Sequence, residues 1–111
     1  MIGISMLAND ASEKLFQEMV IRYAKSRDWL VFHTPPYSPR NGVWRSAGKG
    51  FPDLCLVDRY GKRGILFAEL KTAKGTLSTE QEDWGLAITQ AGHEYHVWRP
   101  ADMDSIRERL L

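Results

Sequence analysis

Cysteine is almost missing from this chain: Cys55 is the only one among 111 residues. An internal disulfide is excluded, and a reducing compartment such as the cytoplasm is the natural expectation. Long apolar runs are missing too, and no stretch approaches the ~20 residues that cross a bilayer, so no membrane partner is expected. The opening Met1-Ile2-Gly3-Ile4-Ser5-Met6-Leu7 lacks the basic start and extended apolar core of a secretory signal. No glycine-rich phosphate loop, zinc spacing, nucleophile elbow or internal repeat occurs. Acids are scarce in one region: from position 22 to 51, Asp28 alone faces Arg22, Lys25, Arg27, Arg40, Arg45 and Lys49. The net charge is still only +1, because the segment after Ser78 is acidic on balance. A basic front half suits a polyanion partner and suits an ordinary solvated surface as well.

What is present suffices for one core. The length fits a single α/β domain over residues 10–111 behind a tail of residues 1–9. Its centre is Phe51-Pro52-Asp53-Leu54-Cys55-Leu56-Val57, a turn around Gly61, and Ile65-Leu66-Phe67-Ala68-Glu69-Leu70-Lys71. Two apolar runs of strand length flanking a short polar turn read as an antiparallel hairpin. A turn centred on Gly61 sets Asp53 opposite Glu69, and directly opposed residues share a face. Lys71, two residues on, joins that face, with Ile65 and Phe67 behind it and Leu66, Ala68 and Leu70 on the other. The second strand thus reads as buried on both sides and polar only at its end. Two carboxylates that close repel unless a cation or proton lies between them. With a lysine beside them they suit a hard divalent ion and a water aimed at phosphate.

Around the hairpin, Asp10-Ala11-Ser12-Glu13 reads as a capping box opening a first helix. Its apolar stripe is Leu15, Phe16, Met19, Val20 and Tyr23. Glu13 and Gln17 fall on one flank of that stripe, and Glu18 points away. Glu13 is either the cap or an acid lent to the site. Trp29-Leu30-Val31-Phe32-His33 is the first strand, ended by the proline-rich Thr34–Pro39 segment. The loop from there to Gly50 mixes Tyr37, Arg40, Trp44, Arg45 and Lys49 without an acid; with Lys74 these are candidate DNA contacts, rings for stacking and cations for phosphates. Ser78-Thr79-Glu80-Gln81 is a second capping box, opening a helix to about Ala91 that buries Trp84, Ala87, Ile88 and Ala91. Gln81 either completes that cap or reaches towards the strand ends. Gly85 inside the helix points to close packing. Gly92 ends it, Glu94–Arg99 forms the last strand, and a closing helix turns Ile106 and Leu110 inwards. His93 and His96 lack the partners of a transition-metal site.

This series resembles the PD-(D/E)XK nuclease core and, more narrowly, the VRR-NUC (virus-type replication-repair nuclease) family. The residues that carry the resemblance are Gly50-Phe51-Pro52-Asp53-Leu54, Phe67-Ala68-Glu69-Leu70-Lys71, Gly75, Leu77-Ser78 and Gln81. Glu13 with Gln17, Trp29, and Val97-Trp98-Arg99-Pro100 fit as well. It implies a mixed sheet flanked by helices, in the order α-β-β-β-α-β with a short C-terminal helix. The implied activity is a Mg²⁺- or Mn²⁺-dependent endonuclease, a phosphodiester hydrolase acting on DNA. By the same resemblance Asp53, Glu69 and the Leu70 carbonyl hold the metal, while Lys71 orients or activates the attacking water. Glu13 and Gln17 then approach from the first helix, and Gln81 supports the site from the second. Homodimers selective for branched DNA, four-way junctions or flaps, are the expected form, encoded by a phage or its bacterial host. The alternative is a non-catalytic DNA-binding or assembly module on the same fold. One departure is Asp28, where such sequences usually carry glycine before the tryptophan.

Overall fold

The helical spacing after Asp10 yields helix α1 (Asp10–Ser26), followed by strand β1 (Trp29–His33) with the bounds expected of it. The computed structural model describes residues 10–35 and 48–111, with side chains from Glu13 onward. The side-chain contacts of the cap expected at Asp10 and the loop residues Tyr37, Arg40, Trp44 and Arg45 therefore lie outside what is described. Strands β2 (Leu54–Asp58) and β3 (Ile65–Leu70) form the hairpin, and helix α2 (Thr79–Gln90) leads to strand β4 (Glu94–Trp98). A short 3₁₀ turn (Pro100–Asp102) runs into helix α3 (Met103–Leu110). The architecture is mixed α/β, as expected.

The four strands form one sheet in the order β1-β2-β3-β4. β2 pairs antiparallel with β1 and with β3, whereas β4 joins β3 in parallel after crossing over through α2. In the hairpin Leu54 faces Ala68 and Val57 faces Ile65, so the register is centred on Gly61. Gly61 and Gly64 take φ of 83° and 82°, which glycine adopts without a Cβ clash. Asp28, between α1 and β1, also sits at positive φ, 64°. Glycine takes that left-handed conformation most easily, and Asp tolerates it better than most.

Alternation along the strands decides which layer each side chain enters. One face carries Trp29, Leu54, Leu56, Leu66, Ala68, Leu70 and Trp98; these close the core with Phe16, Val20 and Ala24 of α1 and Ile106 and Leu110 of α3. The inward turn of Ile106 and Leu110 is as read from sequence. The stripe expected on α1 is rotated: Leu15 and Met19 are 48% and 47% exposed, while Ala24 is buried. The i, i+4 row Phe16–Val20–Ala24 lies against the sheet because its small last residue permits close approach, leaving the neighbouring row outside.

The opposite face is covered by α2 only over β4 and the end of β3. Ile65 is therefore 39% exposed, Cys55 is half-buried, and Leu30 and Phe32 stand open to solvent. β3 is buried on both sides only towards its C-terminal end, not along its whole length as expected. α2 also differs from its expected face. Gly85 is its buried residue; Trp84, Ala87 and Ala91 are exposed and Ile88 half-buried. The helix sits on the sheet through a glycine, so its apolar side chains flank the contact.

Candidate metal and nucleic-acid site

Continuing the hairpin register one step past Leu54–Ala68 sets Asp53 across from Glu69. The Leu70 backbone N–H donates to Asp53 Oδ2 at 2.8 Å, fixing that carboxylate at the end of β3. Pro52 faces Leu70 in the same register and has no N–H to offer its carbonyl. Thr34 closes the other side: its N–H donates to the Asp53 carbonyl at 2.8 Å and its hydroxyl to the Pro52 carbonyl at 2.7 Å.

Glu69 is 2% exposed. Its Oε2 accepts from Gln81 Nε2 at 2.9 Å and faces Lys71 Nζ at 3.6 Å. Its Oε1 is buried with no hydrogen-bond partner. Burial and the Asp53 charge push the Glu69 carboxyl up to about 8, with Lys71 pulling the other way. When both are ionised the two carboxylates are acceptors only, so a proton or a cation must lie between them.

Gln81 fulfils both readings of its sequence position. Its Oε1 accepts from the Ser78 N–H at 2.8 Å while the Ser78 hydroxyl accepts from the Gln81 N–H at 3.1 Å, a complete capping box. The amide nitrogen left over is what holds Glu69. One side chain thus ties the start of α2 to the end of β3. The approach to Asp53 is braced against α2 as well: Trp84 Nε1 donates to the Lys49 carbonyl at 3.1 Å, and Phe51 meets the Trp84 and Phe67 rings edge-on at 5.0 and 5.9 Å.

In front of Asp53 opens a cleft of about 380 Å³. Glu13 and Gln17 line it from α1, Gln81 from α2 and Lys49 from the segment before β2, so the structure brings these expected residues together. Lys49 lies 3.7 Å from Glu80 across the rim. Lys74 is exposed in the β3–α2 connector and does not line the cleft. His93 is exposed, and His96 Nε2 is 2.6 Å from Glu94 Oε2, part of a separate cluster with Arg109. Sequence reasoning missed Lys14 and His33, which also line the cleft. Their signal was position: one follows Glu13 on the helix, the other is the last residue of a strand leading into the site. It missed Tyr95 as well, whose hydroxyl is pushed up to about 12 by burial and by the charges of Glu69 and Asp53.

Among the described residues no group of three or more His, Cys, Asp or Glu side chains stands ready as a metal cage. The acids are a pair, with Glu13 further along the cleft. That donor set fits a magnesium-like ion, which keeps several waters and takes only one or two protein carboxylates. The orphaned Glu69 Oε1 opposite Asp53 is the observation that passes the fit.

The same carboxylate gives a sign to the pH dependence of the metal-free protein. Because the folded Glu69 pKa lies above its unfolded value, the stability it contributes is full below about 4.5 and is lost as pH rises to about 8. Glu94, held down to about 2 by Arg109, acts oppositely and loses its contribution as pH falls below about 4. Thermal unfolding in EDTA is expected to peak near pH 5 and to fall by several degrees towards pH 8. Millimolar Mg²⁺ is expected to restore the loss at pH 8; an EDTA profile still rising above pH 6 contradicts this.

Comparison with known proteins bears on family and fold. A family model described as VRR-NUC domain matches residues 41–102. That span contains Asp53, Glu69, Leu70, Lys71 and Gln81, and leaves α1 outside. A solved structure described as a VRR_NUC domain protein matches with a TM-score of 0.67 and 16% identity, over 93% of this chain and 90% of that one. At such identity the likeness is one of fold. No curated protein matches the chain.

Proposed function

This chain belongs to the VRR-NUC domain family, and on that footing we propose that it is a divalent-metal-dependent endonuclease hydrolysing phosphodiester bonds in DNA. The observation that carries the reading is the buried, unpartnered Glu69 oxygen facing a second carboxylate beside Lys71. A module that only binds DNA gains nothing from two acids placed where phosphates pass, since like charge repels the ligand.

In this reading Asp53, Glu69 and the Leu70 carbonyl hold Mg²⁺ or Mn²⁺. When bound, such an ion acidifies an attacking water and polarises a phosphate oxygen. The chain's own residues do the rest. Leu70 N–H and Gln81 Nε2 lock the two carboxylates in place, so little reorganisation is needed during reaction. Lys71, whose side chain is 17% exposed, offsets charge gathering on the phosphate and orients the attacking water. Lys49, Lys14 and His33 line the approach and suit the backbone phosphates on either side. Glu13 and Gln17 contribute polar groups from α1. The proposal extends to branched DNA as substrate and a homodimer as the working unit, on the family resemblance.

The test uses purified protein with labelled linear, flap and four-way DNA, with and without Mg²⁺ or Mn²⁺. Cleavage of a branched substrate that appears with the ion and vanishes in EDTA is the expected result. Tight DNA binding with no cleavage under any ion would favour the binding module.

A further inference from the structure

Gly85 lies one turn after Gln81 on α2, against the ring of Tyr95 on β4. A Cβ built on it would fall 2.5 Å from Tyr95 Cε2, 2.6 Å from Cζ and 2.9 Å from Oη. Tyr95 is opposite Phe67 in the parallel register, two residues before Val97, the partner of Glu69. The ring therefore rises from the sheet face that carries Glu69 and meets the helix where no side chain stands. A second bare contact lies at the start of α2: a Cβ on Gly50 would be 2.6 Å from Glu80 backbone and side-chain carbons. Gln81 falls between these two contact points.

We propose that Gly85 and Tyr95 are a positioning pair for the cation site. The absent side chain of one and the ring of the other set how far α2 stands from the sheet, and so whether Gln81 reaches Glu69. The proposal rests on the nuclease reading and deepens it. Relieving an overlap at 2.5 Å to the 3.4–4 Å of ordinary contact takes about 1 Å of separation, and on this proposal it is the helix that gives way rather than the half-buried Tyr95 ring. A Gln81–Glu69 bond of 2.9 Å lengthened by that much is no longer a hydrogen bond. Glu69 then loses the donor that orients it, and its Oε1 is no longer held towards Asp53. Groups that orient a ligand are typically worth about 10–100-fold in metal affinity.

The test is Mn²⁺ affinity by calorimetry, independent of cleavage. Gly85→Ala and Gln81→Ala are each expected to weaken Mn²⁺ binding about 10–100-fold, and the double variant no more than either alone. Tyr95→Leu in the Gly85→Ala background returns the space and brings affinity back to within about threefold of wild type. If Gly85→Ala does not fold, that rescued variant carries the test. It must bind Mn²⁺ nearly as wild type does, and adding Gln81→Ala to it must cost the 10–100-fold. Unchanged affinity in Gly85→Ala, losses that multiply in the double variant, or no rescue by Tyr95→Leu would each overturn the positioning role. These outcomes leave the nuclease reading standing while wild-type binding is abolished by Asp53→Ala. A wild-type protein that takes up no Mn²⁺ removes both.

Discussion

Asp53→Ala is expected to lower divalent-dependent cleavage of branched DNA by about 10³-fold or more, with DNA affinity in EDTA within a few-fold of wild type. The side chain accepts the Leu70 N–H, which fixes its carboxylate at the end of β3 beside Glu69. Glu69→Ala and Lys71→Ala are expected to be as severe, the first by removing the other acid, the second by removing the adjacent cation at 3.6 Å. The same substitution has an opposite effect on folding. Removing Asp53 relieves the repulsion that helps push Glu69 up to about 8, so the EDTA-treated variant should melt higher than wild type at pH 8. Lost activity with gained stability marks a functional site, because groups arranged for chemistry are often poorly arranged for folding. Normal cleavage by Asp53→Ala would end the assignment.

The second large effect lies at the far end of the sheet. Arg63→Ala is expected to lower the unfolding temperature by on the order of 10 °C or more. Asp58, 4% exposed, takes the Arg63 guanidinium at 3.0 Å and the Arg63 N–H at 2.6 Å, which hold its carboxyl well below the usual range. The same guanidinium donates to the Leu110 carbonyl at 2.7 Å and the Arg27 carbonyl at 2.7 Å, and lies 4.5 Å from the Trp29 ring centre. One planar group thus joins the hairpin turn to the ends of α1 and α3. Lysine offers a point charge without the fork, so Arg63→Lys should recover little. Cleavage per folded molecule at low temperature should survive, since Asp58 and Asp53 lie at opposite ends of β2. A circular-dichroism melt within about 2 °C of wild type would show that the backbone contacts alone hold this end.

Much of the site was legible because it depends on local rules. Ser78 and Gln81 cap a helix by their spacing, and the side-chain period of two carries Asp53 opposite Glu69 once the turn is centred on Gly61. β1 ends where prolines forbid a ladder. The apolar pattern of α1 and α2 correctly marks helices, yet misjudges which residues they bury. Leu15, Met19, Trp84 and Ala87 are exposed, although each belongs to a helical stripe.

Sequence alone determined the order of elements, the hairpin register and the pairing of acids with Lys71, because each follows from chemistry within a few residues of a turn or cap. Only tertiary structure decided the azimuth of the helices, the cleft that gathers Glu13, Lys14, Gln17 and His33, the Arg63 junction and the seat of α2 on Tyr95. A repeat of 3.6 states that a helix has a face; what that face meets depends on strands distant in the chain. At Gly85 the glycine itself announced close packing, but that the ring of Tyr95 is what packs there follows from no pattern along the chain.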